Sequence, residues 1–212
     1  MKIAIIGLGN IGSAVALNLM SGGQQVIVAD HSPTKAQDFA KASGGKATAL
    51  PVAAAIDGAH VLILAVYFNA IQELLKEHRG KLSGKIIVDP SNPIAPDGAG
   101  GFKKIIPQDQ SSGQLLAGLV PAGGKFVKAF GTIAANSLKA GARHSPDPYV
   151  LFYAADDRDA GNTVADLIKA SGFAPVRVGD VSQSIRIEVF GDLHEFGRLG
   201  KLVTAKQATA LV

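Results

Sequence analysis

The glycine motif near the amino terminus, Gly7-x-Gly9-x-x-Gly12, constrains this chain more than any other feature. It directly follows the apolar run KIAII and directly precedes SAVALNLM, so it lies between a predicted strand and a predicted helix. In that context Gly7 permits a tight turn, Gly9 lets the backbone approach a pyrophosphate, and Gly12 lets the helix pack closely on the strand. The N–H groups at the start of the helix would then face the diphosphate. The motif therefore predicts a dinucleotide site.

A second predicted strand, QVIVA, leads into Asp30, eighteen residues after Gly12. A carboxylate at this position accepts hydrogen bonds from the adenosine ribose hydroxyls and repels a 2′-phosphate, which favours NAD over NADP. The neighbouring His31, Ser32 and Lys35 can together coordinate a phosphate, so NADP stays open. The alternative interpretation is that Asp30 is only a turn residue.

Composition and charge exclude several classes of function. The chain has no cysteine, which excludes disulfides, thiolate catalysis and metal sites with cysteine ligands. Its net charge of +4 comes from scattered Lys and Arg residues, so we expect an anionic small ligand and no nucleic acid. The longest apolar run, residues 59–68, is too short to span a bilayer. The amino terminus is typical of a strand and not of a signal peptide, so we expect a cytoplasmic protein.

Strand-like and helix-like segments alternate along the chain. Their apolar strands show no polar alternation, which is typical of a parallel sheet covered on both faces. We therefore predict an α/β fold with a doubly wound, mostly parallel sheet of the Rossmann type. We predict a dinucleotide-binding domain at 1–180 and a helical carboxyl-terminal extension at 181–212. The predicted strands are 2–6, 25–29, 47–50, 61–66, 85–89, 125–130, 149–154 and 174–178, and the predicted helices are 11–20, 33–42, 51–56, 70–78, 111–119 and 158–170. Residues 95–101, APDGAGG, are predicted to be a flexible loop.

Further candidate residues follow the other predicted strands, where a ligand of an open parallel sheet binds. Tyr67 and Phe68 can flank a planar ring or simply cover the sheet edge. Asn92 lies between two prolines and is either a turn residue or a contact to the nicotinamide or ribose. The five histidines show no metal-ligand spacing, and we find no catalytic triad or catalytic lysine pattern. Asp156, Asp157 and Asp159 are interpreted as the acidic start of a helix.

Several segments resemble the NADPH-dependent reductases of the deazaflavin coenzyme F420. They are GLGNIGSAVALNL, VDPSNPI, SSGQLLAGLVPAGGKFVKAFGTIAA, AADDRDAGNTVADLIKASGFAPVRVGD and FGRLGKLV. The resemblance implies hydride transfer directly between nicotinamide and a deazaflavin ring, with no side chain acting as acid or base. It also implies that the nucleotide contacts Gly9, Asn10, Ile11, residues 30–32, Lys35, Val66 and Ala129. The full set of predicted cofactor-binding residues is Gly7, Leu8, Gly9, Asn10, Ile11, Gly12, Asp30, His31, Ser32, Lys35, Val66, Tyr67, Asn92 and Ala129.

The sequence thus predicts an oxidoreductase that uses NAD(P)H and a flavin-like or deazaflavin-like planar acceptor. Two alternatives remain open, a non-catalytic dinucleotide-binding redox sensor and a flavin-dependent enzyme similar to metal reductases. No metal site is expected. The resemblance and the apolar content of residues 185–212 further predict a homodimer.

Overall fold

The computed structural model describes residues 1–211, and its main feature is an eight-stranded sheet with the strand order β10-β9-β8-β5-β4-β1-β2-β3. Two further strands, β6 and β7, form a separate antiparallel hairpin. The strands are β1 (Ile3–Ile6), β2 (Val26–Ala29), β3 (Ala47–Ala49), β4 (Val61–Leu64), β5 (Ile86–Asp89), β6 (Ile94–Pro96), β7 (Phe102–Lys104), β8 (Lys125–Lys128), β9 (Val150–Ala155) and β10 (Ala174–Gly179).

Helices connect most of these strands and cover both faces of the sheet. They are α1 (Asn10–Ser21), α2 (Pro33–Ala42), α3 (Val52–Gly58), α4 (Phe68–Glu77), α5 (Ser112–Ala117), α6 (Ala135–Ala140), α7 (Arg158–Ala170), α8 (Ser184–Ile187) and α9 (Ala205–Ala208). None of the helices within residues 1–211 is long and apolar enough to cross a membrane.

Six neighbouring strands, from β3 through β2, β1, β4 and β5 to β8, are parallel. β9 then pairs antiparallel with β8, and β10 pairs parallel with β9. In β1, Ile3 and Ile5 pack in one core with α1 and α7, while Ala4 and Ile6 pack in the other core with α3 and α4. This use of both faces explains the continuous apolar strands. The predicted doubly wound, mostly parallel α/β fold is confirmed.

Local signals place several helix starts correctly. Ser32 caps α2 by accepting a hydrogen bond from the Lys35 N–H, and Pro33 occupies the first helical position. Asp157 caps α7 through a 2.8 Å bond from the Ala160 N–H. The interpretation of the acidic residues as a helix start is therefore confirmed. Within residues 1–211, no group of three or more His, Asp or Glu residues is arranged to hold a metal ion.

The loop predicted at 95–101 is the tip of a hairpin at residues 97–101, whereas residues 95 and 96 belong to a strand that the prediction missed. Ile94 pairs with Lys104 and Pro96 pairs with Phe102, which makes a β6–β7 hairpin. Its tip is organised by Asp97, whose carboxylate accepts the N–H groups of Ala99 and Gly101. The glycine-rich composition of the turn therefore hid the two short strands that flank it, each of which has only three residues.

The segment after β10 returns across one face of β9. Its apolar side chains Ile187, Leu193, Val203 and Ala208 pack with Val150, Phe152 and Ala154 of β9 in a third core. The Val150 N–H also donates to the Val203 carbonyl over 2.8 Å. Much of the apolar surface that motivated the homodimer prediction is thus buried within the chain itself.

Candidate functional site

The glycine loop between β1 and α1 uses each glycine for a different reason. Gly7 has a φ of +93°, and an added Cβ there would lie 2.5 Å from the Ala65 carbonyl oxygen. A Cβ on Gly12 would collide with the Gly7 carbonyl oxygen, so α1 packs directly on the turn. A Cβ on Gly9, by contrast, would meet nothing within 4 Å. Open space next to Gly9 is what a bound pyrophosphate requires, so the residues present fit this group.

The amino terminus of α1 faces this open space. Gly9 is its N-cap, no side chain caps it, and its first turn carries no acidic residue. The first N–H groups of a helix have no partner within the helix, and the helix dipole adds positive potential there. A twelve-residue helix beginning at Asn10 therefore offers N–H donors and positive potential to an anion.

Asp30 fixes the loop against the end of β2. Its side chain is only 2% exposed, and one carboxylate oxygen accepts the Leu8 N–H at 2.8 Å. The other oxygen accepts the Ser32 N–H at 3.0 Å. Burial raises the pKa of Asp30, but these two hydrogen bonds and Lys35 outweigh burial and hold the pKa below its usual value. Asp30 is thus an ionised structural acceptor whose oxygens are already engaged before any ribose approaches.

Two basic side chains surround the Asp30 carboxylate on its solvent side. His31 Nδ1 lies 2.8 Å from one carboxylate oxygen, and Lys35 Nζ lies 3.3 Å from the other. His31 and Lys35 are both exposed, whereas Ser32 is partly buried at the α2 N-cap. The groups available to a ligand at the end of β2 are therefore the Lys35 ammonium, the His31 imidazole and the Ser32 hydroxyl rather than the carboxylate.

The remaining predicted residues lie at the ends of β4, β5 and β8, along the same sheet edge. The Val66 side chain lies against Gly7, and Tyr67 is the exposed residue that precedes α4. Ala129 is buried beyond β8. The Asn92 side-chain amide donates to the Gly131 carbonyl at 2.9 Å and its oxygen accepts the Val189 N–H at 2.7 Å. Asn92 thus connects the loops after β5 and β8 to the returning carboxyl-terminal segment.

A buried ionic cluster lies at this edge and escaped the sequence analysis. Lys128, the last residue of β8, places Nζ 2.6 Å from Asp89 Oδ2 at the end of β5. The same ammonium donates to the Ser91 carbonyl at 2.6 Å and to Ser112 Oγ at 3.1 Å. Glu188 accepts both hydroxyls at the start of α5, those of Ser111 and Ser112. The lysine in the apolar run KFVKAF was the available signal, because a buried strand tolerates lysine only with a partner.

A strap of residues 188–197 crosses the ends of β5 and β8. The buried His194 accepts the Phe196 N–H at Nδ1, so Nε2 carries the proton and donates to the Gly131 carbonyl at 3.0 Å. Burial lowers the pKa of His194 to about 4, against a smaller opposing effect of the Gly131 carbonyl. The Glu195 carboxylate accepts the Ala134 N–H at 2.7 Å. Both nitrogens of His194 are therefore engaged, and the imidazole is neutral at neutral pH.

The glycine loop, the uncapped helix and the strand order at the sheet edge define a Rossmann-type NAD(P)-dependent oxidoreductase. The model of the family described as NADP oxidoreductase, coenzyme F420-dependent, matches residues 2–93. Residues 2–93 of the chain are thus similar to this family, as the sequence segments indicated. No curated protein is similar enough to match the chain.

Solved structures share this fold along most of the chain. A hypothetical protein, SMa0349 from Sinorhizobium meliloti, is 30% identical, with a TM-score of 0.84 over 96% of this chain and 95% of that one. A proposed F420-dependent NADP reductase from Arthrobacter sp. FB24 is 23% identical, with a TM-score of 0.75 over 87% of each chain. A pyrroline-5-carboxylate reductase from Coxiella burnetii is 18% identical, with a TM-score of 0.66 over 90% of this chain and 64% of that one. The last two similarities concern the fold.

Proposed function

We propose that the protein transfers hydride directly between NAD(P)H and a planar flavin or deazaflavin acceptor. Two observations together carry the proposal. The glycine loop leaves open space for a diphosphate, and the nearby ionisable side chains at the sheet edge already form hydrogen bonds within the protein. Gly9 leaves space beside the α1 terminus, while Lys128 and His194 have their hydrogen-bonding groups occupied within the protein. Hydride transfer between two rings needs orientation and exclusion of water, and it does not need a side chain as acid or base.

The sheet edge has the right order of groups for an extended dinucleotide. In this proposal His31, Ser32 and Lys35 contact the adenosine end, and the loop from Gly7 to Gly12 contacts the pyrophosphate. β4, β5 and β8 follow β1 in the sheet, so Val66, Tyr67, Asn92 and Ala129 lie toward the nicotinamide end. At about 4.8 Å per strand, β8 is ~14 Å from β1, which gives room for the second half of a dinucleotide.

The Lys35 ammonium and the His31 imidazole at the end of β2 favour a 2′-phosphate. Lys35 and His31 approach the same carboxylate from the solvent side, and a phosphate could take the place of part of that interaction. Asp30 itself remains negative, but its oxygens are turned to the backbone of Leu8 and Ser32. We therefore assign the adenosine end to NADP(H), with NAD(H) as a weaker ligand.

The reduced nicotinamide supplies a hydride, and the acceptor gains that hydride plus a proton from solvent, which leaves NADP⁺ and a dihydro-acceptor. Residues of this chain supply the arrangement. The loop and the α1 terminus fix the diphosphate, and the strap covers the ends of β5 and β8. A rigid edge of this kind holds the two rings in a reactive geometry.

Turnover distinguishes this proposal from a sensor. Purified protein should oxidise NADPH, followed at 340 nm, when FMN or 5-deazariboflavin is supplied. Gly9→Val should abolish both NADPH binding and turnover, because the new side chain occupies the open space at the loop. Gly80→Val is the matched control, since an added Cβ at Gly80 also meets nothing within 4 Å but lies in the turn after α4. Binding of NADPH without turnover with either acceptor would indicate a sensor, and a flavin spectrum in the purified protein would indicate a bound-flavin enzyme.

Two proposals about organisation accompany this function. Residues 1–180 form the dinucleotide-binding domain, and the segment from 181 onward is an extension packed on it. The protein is further proposed to be a homodimer. Light scattering at micromolar concentration tests this, because a monomer has a mass of 21.7 kDa.

A further inference from the structure

We infer that Phe190 and Phe196 form the surface that binds the planar acceptor, hereafter the acceptor face. The inference rests on the proposed function, because it names the residues that receive the second ring. Its basis is that the strap holds two aromatic side chains in solvent at the nicotinamide end of the sheet edge.

The two side chains are exposed although the rest of their segment is not. Phe190 is 51% exposed and Phe196 is 55% exposed. Leu193 and His194, which lie between them, are each 2% exposed. Apolar side chains that remain in solvent on an otherwise packed segment indicate a binding surface more than a packing need.

Phe190 occupies a backbone conformation that a phenylalanine rarely adopts. Its φ is +74°, in the left-handed region where a Cβ is disfavoured. A glycine would relieve the conformational cost, and Gly191 follows immediately. Strain of this kind persists where surrounding contacts determine the backbone, and it concentrates at functional sites. The chain thus keeps a half-exposed aromatic residue in an unfavourable backbone conformation.

The contacts that hold the strap are numerous and specific. The Val189 N–H donates to Asn92 Oδ1 at 2.7 Å, just before Phe190. The Glu195 N–H donates to the Thr132 carbonyl at 3.0 Å, just before Phe196. Each phenylalanine is therefore preceded by a residue bonded to the loop after β5 or after β8. These bonds fix the acceptor face relative to the strand ends where the nicotinamide is proposed to lie.

The two aromatic residues belong to adjacent stretches of backbone. An added Cβ on Gly197 would collide with the Gly191 carbonyl and lie 3.0 Å from the Phe190 carbonyl carbon. The backbone after Phe196 therefore packs on the backbone after Phe190. Each exposed phenyl ring on these adjacent backbone stretches can pack on the flat apolar face of a fused-ring acceptor, because aromatic rings interact by offset stacking or edge-to-face contact.

Binding of 5-deazariboflavin, measured by fluorescence anisotropy in the presence of NADP⁺, tests the acceptor face. We expect Phe190→Gly and Phe196→Ala each to weaken binding of this probe about tenfold, the loss expected for one aromatic contact with its buried area. The dissociation constant for NADPH should stay unchanged. Leu17→Ala is the matched control, because Leu17 is 49% exposed on α1 and is not part of the strap.

The stability of Phe190→Gly separates a binding role from a structural one. Because glycine accepts the φ of +74°, its melting temperature should equal or exceed that of the wild type. A melting temperature lower by several degrees would show that Phe190 is a packing residue and would overturn the inference.

Other outcomes overturn the inference without ambiguity. If the wild type binds and reduces 5-deazariboflavin and both variants do so equally well, the acceptor lies elsewhere and the proposed function stands. If the variants convert a dimer into a monomer and leave probe binding unchanged, the acceptor face is an interface between copies. If the wild type neither binds nor reduces any planar acceptor, the proposed function fails and the inference fails with it.

Discussion

Protonation of His194 should make the protein less stable in mild acid. The imidazole is 2% exposed, donates from Nε2 to the Gly131 carbonyl and accepts the Phe196 N–H at Nδ1. A second proton would turn Nδ1 from an acceptor into a donor facing the Phe196 N–H, in a place with little water. Burial of the imidazole, which disfavours its charged form, lowers the pKa of His194 to about 4 in the folded protein.

The sign and size follow from the two pKa values. An unfolded histidine titrates near pH 6.5, so between pH 6.5 and 4 the unfolded chain binds a proton that the folded chain does not. Stability is therefore full above about pH 6.5 and is lost as the pH falls toward 4. The linkage relation gives a loss of about 2 kcal/mol by pH 5 and about 3 kcal/mol by pH 4 from this residue alone.

Urea unfolding of the wild type and of His194→Gln at pH 7.5 and pH 5.0 measures the contribution of His194 to the pH dependence of stability. Glutamine keeps an amide donor for Gly131 but cannot titrate. The variant should be less stable at pH 7.5 through imperfect packing, yet its free energy of unfolding should fall about 2 kcal/mol less than that of the wild type between the two pH values. Carboxylates such as Asp30 and Asp157 also lose stabilisation in acid, but they contribute equally to both proteins.

His60→Gln is the matched control, because it makes the same substitution at an exposed histidine. Its stability should depend on pH as in the wild type. If His194→Gln and the wild type lose the same free energy between pH 7.5 and 5.0, within about 0.5 kcal/mol, the linkage argument is refuted.

Three further substitutions test other contacts. Lys128→Met leaves Asp89 buried without its ammonium partner and should lower the free energy of unfolding in urea by about 3–5 kcal/mol. Adding Asp89→Asn should recover part of that loss, and equal stability of the single and double variants would contradict the pairing. Lys35→Ala should weaken NADPH about fivefold while changing NADH little, measured by titration, because a half-exposed ion pair is worth about 1 kcal/mol; equal losses for both nucleotides would place the 2′-phosphate elsewhere. Arg143→Ala should lower stability by about 1 kcal/mol, since its guanidinium donates to the Asn18 and Ala170 carbonyls at the ends of α1 and α7, and an unchanged melting temperature would show that water replaces it.

Local chemistry made the amino-terminal half of the fold predictable. The close approach of Gly12 to the Gly7 carbonyl, and the cap at Ser32 with Pro33, each depend on residues a few positions apart. Such signals can be recognised in a sequence because the residues that interact are also close together along the chain. The strand β8 was predicted two residues too long, since Phe130 leaves the strand with a φ of +65°.

The candidate site was predicted only where it is local. Lys128 pairs with Asp89 thirty-nine residues away, and Asn92 contacts Val189 ninety-seven residues away. Neither pairing can be predicted from sequence spacing, because the residues come together only when the whole chain folds. Separation along the chain also hid the role of Asp30. Its carboxylate accepts the N–H of Leu8, twenty-two residues away, whereas the sequence analysis assigned this carboxylate to a ribose.

The reversal of a single strand determines how far the ligand crevice extends. Because β9 runs antiparallel to β8, β9 and its parallel neighbour β10 both end at the opposite rim of the sheet, where Asp157 pairs with Lys125 at the start of β8. The crevice therefore stops at β8 and cannot be extended by adding loops after β9 or β10. The side of the crevice beyond β8 is therefore formed by a later part of the chain, the strap of residues 188–197. Changes confined to the ten residues of the strap would therefore alter this end of the crevice and leave the dinucleotide half of the sheet untouched.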